Sequence, residues 1–180
     1  MTDQNRPDRK AAIDRMIRVD QAGEFGATRI YAGQLAVMGT RGPNSQEIEG
    51  MAAQEAVHRE KFDALMARRG VRPTALQPFW SAAGYALGAA TALIGPKAAM
   101  ACTAAVETEI DLHYSAQLDE LEATNEDPEL AGMIAEFRED EREHHAAAIA
   151  AGAEQAPAYP LLSGLIRAGC RAAIKVSEQI

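Results

Sequence analysis

One arrangement occurs twice in this chain and constrains its fold more than any other feature: an isolated glutamate, followed one helix later by Glu-x-x-His. Glu24 precedes Glu55 and His58 in the first half, and Glu107 precedes Glu141 and His144 in the second, at nearly equal intervals. Such a repeat predicts two helical hairpins related by a pseudo-twofold axis. Helical spacing places all six residues on apolar stripes, Glu24 with Ile17, Tyr31, Leu35 and Met38, and Glu55 with Ile48, Met51 and Phe62. Glu107 falls among Met100, Thr103, Ile110 and Tyr114, while Glu141 follows Leu130, Ile134 and Phe137. Carboxylates facing an apolar interior must be neutralised, because burying an unpaired charge is costly enough to force protonation. These stripes offer no lysine or arginine, whereas carboxylate oxygen and imidazole nitrogen together suit iron or manganese. Glu-x-x-His sends both donors from one helical face. Two such helices, plus one glutamate from each of two more, form the carboxylate di-metal arrangement of four-helix bundles. A single Glu-x-x-His on an exposed helix is ordinarily a solvated pair. With four histidines in the whole chain, two such pairs on apolar faces are a different matter.

Helix punctuation agrees with this frame. A first helix runs from about Pro7 to Met38 and stops at the Gly39–Pro43 turn; a second, capped by Asn44 with Glu47 three residues on, ends at Gly70. A short apolar helix, about 79–94, lies between Pro78 and Pro96, and Pro96 then opens a long helix reaching about Ala123. Asp127-Pro128 caps a fifth helix ending near Gly152, and a sixth runs over about 157–177. The expected fold is all-α: a ferritin-like four-helix bundle spanning residues 1–180 as a single domain, with an apolar insert helix and a C-terminal amphipathic helix. Scarce aromatics and abundant alanine, leucine and glutamate favour helices over sheets.

The net charge of −8 and pI near 5.0 argue against a nucleic-acid partner, which would require clustered basic residues. Cys102 and Cys170, too few for a disulfide framework, read as buried thiols. The N-terminus has no apolar signal core, so the mature chain is expected to start near Met1.

Several residues beside the six invite a role. Gly23 and Gly26 flank Glu24 inside a helix, where each costs roughly 0.5–1 kcal/mol relative to alanine; they serve either to make room beside the metals or to pack helices tightly. His113 and Tyr114 are candidate catalytic residues. Tyr114 lies on the Glu107 face, where it could hydrogen-bond a substrate, relay an electron, or simply fill the core. Asp140 is a candidate partner for an imidazole N–H, and His145 reads as surface. The uncharged segment Pro73–Pro96 suits a helix lying in a membrane interface, anchored by Phe79, Trp80 and Tyr85, or a buried crossover. Arg167, Arg171 and Lys175 recur along the last helix, a basic face suited to anionic lipid or merely to water. No dinucleotide-binding glycine motif is present, so electrons must come from outside the chain.

From Ile17 to the C-terminus the chain resembles the demethoxyubiquinone hydroxylases of ubiquinone biosynthesis, in IRVDQAGEFGATRIYAGQLAVMG, QEAVHREKF, MACTAAVETEIDLHY, FREDEREHH and APAYPLLSGLIRAGCRAAIKVSE. Gln21 and Phe25 depart from that family's usual histidine and tyrosine, and neither is a ligand position. The resemblance implies metal ligands at Glu24, Glu55, His58, Glu107, Glu141 and His144, two iron ions, O₂ as co-substrate and NADH as external reductant. It further implies hydroxylation of a 2-polyprenyl-3-methyl-6-methoxy-1,4-benzoquinol in the penultimate step of ubiquinone synthesis. With it come a peripheral position on the cytoplasmic face of a bacterial cell membrane, a lipid-binding partner protein, and a homo-oligomeric state left open. Iron storage, peroxide scavenging on the same ligands, and a non-catalytic membrane scaffold are the competing readings. The first two give the uncharged insert no purpose, and the third leaves the four inward carboxylates unexplained.

Overall fold

The computed structural model describes residues 6–179 and consists, among them, of helices joined by short turns. The chain start expected near Met1 falls outside those residues. Six α-helices follow in order: α1 Arg6–Met38, α2 Ser45–Arg69, α3 Gln77–Ile94, α4 Pro96–Thr124, α5 Pro128–Ala150 and α6 Tyr159–Ser177. A single 3-10 turn, Ala153–Gln155, lies between the last two. Helices α1 and α2 form one hairpin, α4 and α5 the other, and α1–α4 and α2–α5 contacts close the four-helix bundle.

The helix boundaries follow from local chemistry. Asp127 caps α5 by accepting the Leu130 N–H at 3.1 Å, and Arg69, at the end of α2, clamps that cap by binding both Asp127 and Glu129. Gly70 closes α2 in the left-handed conformation, its N–H on Met66 O. The capping box expected at Asn44 does not form. Asn44 is itself left-handed, at φ 65°, and its amide donates instead to Ala151 O at 3.2 Å, joining the start of α2 to the end of α5. Pro78 falls in the first turn of α3 rather than before it, where its missing N–H is harmless. Helices α3 and α4 are separated by Gly95 alone, whose φ of 145° excludes other residues without strain.

Helix α4 is the axis of the molecule. Residues 98–107 are all buried, because α3, α5, α6 and the 3-10 turn contact it from different sides, and the run is rich in alanine, which allows close approach. The insert helix α3 packs lengthwise on α1, backbone against backbone. A Cβ on Gly88 would lie 1.9 Å from Ile30 O, and one on Gly33 would lie 2.2 Å from Tyr85 O. Only glycine permits that docking. The outer face of α3 is not covered: Phe79, Leu93 and Ile94 are more than half exposed. Tyr85 is exposed as well, under the Arg29 guanidinium, whereas Trp80, the third suggested anchor, is half-buried.

Helix α6 lies against α4 and α1. Arg167 Nε and Arg171 Nη1 donate to the same oxygen of buried Glu109 at 2.6 and 2.7 Å, so two of the three residues of the expected basic face serve to hold α6 in place. Lys175 is exposed. Leu161 and Leu165, each 65% exposed, and Val176 continue the uncovered apolar surface. Among the described residues, no helix is long and apolar enough to cross a membrane.

Candidate metal centre

Midway along the bundle, between an apolar cluster containing Tyr31, Ile48, Met51 and Met100 and another containing Ile17, Phe62, Tyr114 and Phe137, four carboxylates and two imidazoles converge. Each comes from the helix the sequence assigned: Glu24 from α1, Glu55 and His58 from α2, Glu107 from α4, Glu141 and His144 from α5. All six are at least 97% buried. Their donor atoms fall into two overlapping groups, Glu24–Glu55–His58–Glu141 and Glu55–Glu107–Glu141–His144, within each of which every atom lies within 4.8 Å of the others. Glu55 and Glu141 belong to both groups. Glu24 with His58 belongs to one, and Glu107 with His144 to the other.

Both imidazoles present Nδ1 to this centre. His58 Nδ1 lies 3.5 Å from Glu24 and 3.3 Å from Glu141; His144 Nδ1 lies 3.3 Å from Glu55 and 3.2 Å from Glu141. The opposite nitrogen of each ring is held from outside. His58 Nε2 donates to Asp140 at 2.9 Å, as the sequence suggested, and His144 Nε2 donates to the amide oxygen of Gln54 at 3.0 Å, a contact the sequence reading missed. Tyr114 donates to Glu24, and Tyr31 donates to Glu107 at 2.8 Å. Burial first, then the adjacent carboxylate, pushes both phenols well above their ordinary range, so each is a fixed donor.

The electrostatics call for a cation. Burial and the charge of Glu141 push Glu55 and Glu107 well above the usual carboxylate range. Burial also raises Glu141, but hydrogen bonds from His144 and His58 outweigh it and bring the group to about 2. Burial depresses His58, yet Glu141, Glu24 and Asp140 together lift it to about 10. Both oxygens of Glu55, Glu141 Oε1 and His58 Nδ1 are buried without a well-formed hydrogen bond. Buried polar atoms are rarely left so. Inward-facing oxygens and nitrogens in two overlapping groups fit a pair of divalent ions that share Glu55 and Glu141.

The remaining suggestions separate. His113 does not join the centre; its Nε2 meets buried Asp20 at 2.9 Å, and Gln117 donates to the same carboxylate at 2.9 Å. His145 is half-buried rather than on the surface, and is not among the clustered donors. Gln21 binds Asp63 at 2.9 Å, and Phe25 is half-buried, so both family departures concern packing. Helix packing does not require the missing side chains of Gly23 and Gly26, although Gly26 O lies against Gly84 of α3. A Cβ on Gly26 would meet nothing within 4 Å, and one on Gly23 only Ile110 Cδ1 at 3.9 Å. Both line an apolar cavity of about 520 Å³ walled by α1, α3, α4 and α6. Trp80, Gly84 and Leu87 form its α3 side, and Leu165, Ile166 and Ile174 its α6 side. Gly23 and Val106, chain neighbours of Glu24 and Glu107, bring the cavity alongside the centre. Cys170 is in its wall, and Cys102 is fully buried nearby; burial pushes both thiols up to about 12, which keeps them protonated.

Comparison with known proteins agrees with the resemblance. The family model described as ubiquinone biosynthesis protein COQ7 matches residues 11–177. A Rhodospirillum rubrum protein named 3-demethoxyubiquinol 3-hydroxylase is 54% identical, over 97% of this chain and 81% of its own. The Homo sapiens protein named NADPH-dependent 3-demethoxyubiquinone 3-hydroxylase, mitochondrial, is 51% identical over 95% of this chain and 79% of its own. A Saccharomyces cerevisiae protein named 5-demethoxyubiquinone hydroxylase, mitochondrial, is 44% identical over 98% and 82%.

Proposed function

The chain belongs to the COQ7 family of ubiquinone biosynthesis proteins, and from that premise we propose that it hydroxylates a demethoxyubiquinol ring at a di-iron centre. The observation that carries this reading is the convergence of four buried carboxylates and two imidazoles beside an apolar cavity. Glu24 and His58 would hold one metal ion and Glu107 and His144 the other, with Glu55 and Glu141 belonging to both donor groups. Tyr114 and Tyr31 orient Glu24 and Glu107 through their hydroxyls, so that each terminal carboxylate keeps one oxygen for the metal. Oxygen and nitrogen donors of this kind suit iron or manganese, and O₂-dependent hydroxylation selects iron. Two iron ions bound there supply the redox chemistry that activates O₂ for transfer of one oxygen atom to the ring.

The rest of the work falls to the chain. At about 520 Å³ the cavity is within the roughly 300–1,000 Å³ range of organic-ligand sites. It accepts the quinol head from the α3–α6 side, and its apolar lining excludes water from the reacting face. Gly23 and Gly26 keep the wall open next to Glu24. The polyprenyl tail remains in lipid, against which α3 and α6 set Phe79, Leu93, Ile94, Leu161, Leu165 and Val176. Such a protein lies on the cytoplasmic face of a bacterial membrane without crossing it, where a lipid-binding partner or a second copy of the chain has access to the same surface. The reducing equivalents come from a nicotinamide dinucleotide; the name of the human relative specifies NADPH, which widens the expectation of NADH to either form. Of the two candidate catalytic residues, we assign Tyr114, whose hydroxyl donates to Glu24, to proton and electron delivery there, and His113, held on Asp20, to a place outside the centre.

An iron-storage role makes no use of the cavity. The deciding experiment is anaerobic loading with ferrous iron, followed by O₂ and a demethoxyquinol. Mass spectrometry is expected to find a product heavier by one oxygen atom, incorporated from labelled O₂. Iron uptake and oxidation without that product would refute the hydroxylase reading.

A further inference from the structure

The internal repeat is close but not perfect, and its departures around the two imidazoles are informative. When Glu55 and Glu141 are aligned, His58 answers to His144, Gln54 to Asp140 and Met51 to Phe137. The same relation holds between the other two helices, where Glu24 and Tyr31 answer to Glu107 and Tyr114, and Gln34 to Gln117. The tyrosine partners of Glu24 and Glu107 are therefore duplicated. The partners of the imidazoles are not. His58 gives its outer N–H to a carboxylate, Asp140 Oδ2 at 2.9 Å, whereas His144 gives its outer N–H to a neutral amide, Gln54 Oε1 at 3.0 Å. The His58 ring is also stacked on Phe137, with centroids 4.0 Å apart and planes 22° from parallel; the residue in the corresponding place on α2 is Met51.

We infer that Asp140 and Gln54 are positioning residues that make the two metal positions unequal, the Glu24–His58 position binding its ion the more tightly. The inference rests on the metal-centre reading above. A carboxylate that accepts the outer N–H of a ligand imidazole raises the electron density at the inner nitrogen, and loss of such a partner typically weakens metal binding about 10–100-fold. A neutral amide fixes the ring and tautomer but adds no negative charge. Phe137 adds restraint at His58, which lowers the ordering cost of binding there. The terminal carboxylates are alike in their tyrosine partners, so among the direct hydrogen-bond partners of the ligands it is those of the imidazoles that differ. Asp140 and Gln54 also lie at the edge of the bundle, Asp140 half-buried and Gln54 exposed, so both positions tolerate substitution without opening the core.

Titration of the full chain with cobalt(II) alone, followed by visible absorption and calorimetry, provides the test. Repulsion between two ions separates the binding steps even at equivalent positions, so the diagnostic is how each step responds to substitution. Asp140→Asn is expected to weaken the first step about 10-fold or more and leave the second nearly unmoved. Gln54→Glu is expected to tighten the second step by a similar factor and leave the first unmoved. In iron-57 Mössbauer spectra of the diferrous protein, two distinct doublets are expected to converge in Gln54→Glu. Equal weakening of both steps by Asp140→Asn, or no change in either variant, overturns the inference while leaving the metal centre intact. Failure of the unsubstituted chain to bind cobalt or iron overturns both.

Discussion

Alanine at position 88 puts the docking of α3 to a direct test. The added Cβ would lie 1.9 Å from Ile30 O and 2.8 Å from Ile30 C, and both are backbone atoms of a helix, so no rotamer change relieves the contact. Carbon–oxygen contacts settle at roughly 3.3 Å or more, so α1 and α3 must part locally by about 1 Å or more. Overpacking of this kind costs about 1–3 kcal/mol, and a clash this close belongs at the top of that range. The gain in helix propensity from replacing glycine returns about 1 kcal/mol. A net loss of about 2 kcal/mol corresponds to a melting temperature lowered by about 4–8 °C for a chain of this length. Gly132→Ala is the matched control, because Gly132 is exposed in α5 and a Cβ there meets nothing within 4 Å. There the propensity gain acts alone, and the melting temperature is expected to rise. Thermal unfolding followed by far-ultraviolet circular dichroism reads both. Since α3 contributes Trp80, Gly84 and Leu87 to the cavity but no metal ligand, Gly88→Ala is also expected to raise KM for the quinol with metal content unchanged. A Gly88→Ala variant that melts at or above the parent temperature refutes backbone docking of α3.

Glu55→Ala is expected to abolish bound iron and hydroxylation while far-ultraviolet dichroism keeps its helical form; a variant retaining both ions by elemental analysis would contradict the shared role of Glu55. Tyr31→Phe removes the hydrogen bond to Glu107, and the loss of a bond to a charged group, about 1.5–3 kcal/mol, is expected to appear as weaker metal retention during dialysis against a chelator. Burial raises the Asp127 carboxyl, but Arg69 and the Leu130 N–H outweigh that and hold it below its ordinary value. Its contribution to stability is therefore complete above the unfolded value near 3.9 and is lost as pH falls through the lower folded value. Arg69→Ala is expected to flatten that acid limb in urea unfolding measured across the range. An acid limb identical to the parent would refute the assignment.

The convergence of the six glutamates and histidines and the bundle itself were legible because they rest on two short-range regularities, helical periodicity and the duplicated Glu-x-x-His. The end of α2 was equally clear from Gly70, and the start of α5 from Asp127-Pro128. What failed was local chemistry overridden by tertiary contact. Asn44 has the composition of a cap, yet its amide is used to join α2 to the end of α5. Arg167 and Arg171 look solvated in a linear reading, and only the fold brings buried Glu109 opposite them. Tyr31 and Gln54 were missed for another reason. Each stands in the repeat where Tyr114 and Asp140 stand in the other half, and extending the alignment past the ligands would have singled out both. The cavity could not be foreseen from composition. Gly23 and Gly26 offered packing and open space equally, and the choice depended on where α3 and α6 lie.

The architecture assigns its two tasks to different helices. All six proposed ligands come from α1, α2, α4 and α5, the bundle that ferritin-like carboxylate di-metal proteins use. The cavity instead draws on α1 and α4 from the bundle and on α3 and α6 from outside it. Helices α1 and α4 therefore have two working faces, and their composition follows. On α1, glutamate faces the centre while glycines face α3 and the cavity; on α4, residues 98–107 are all buried and half of them are alanine. The accessory helices are attached by means that leave the metal ligands alone, α3 through glycine backbone contact and α6 through Glu109. Changes in the α3–α6 wall are thus expected to alter which quinol enters. Changes in the bundle interior are expected to alter whether the metals are held at all.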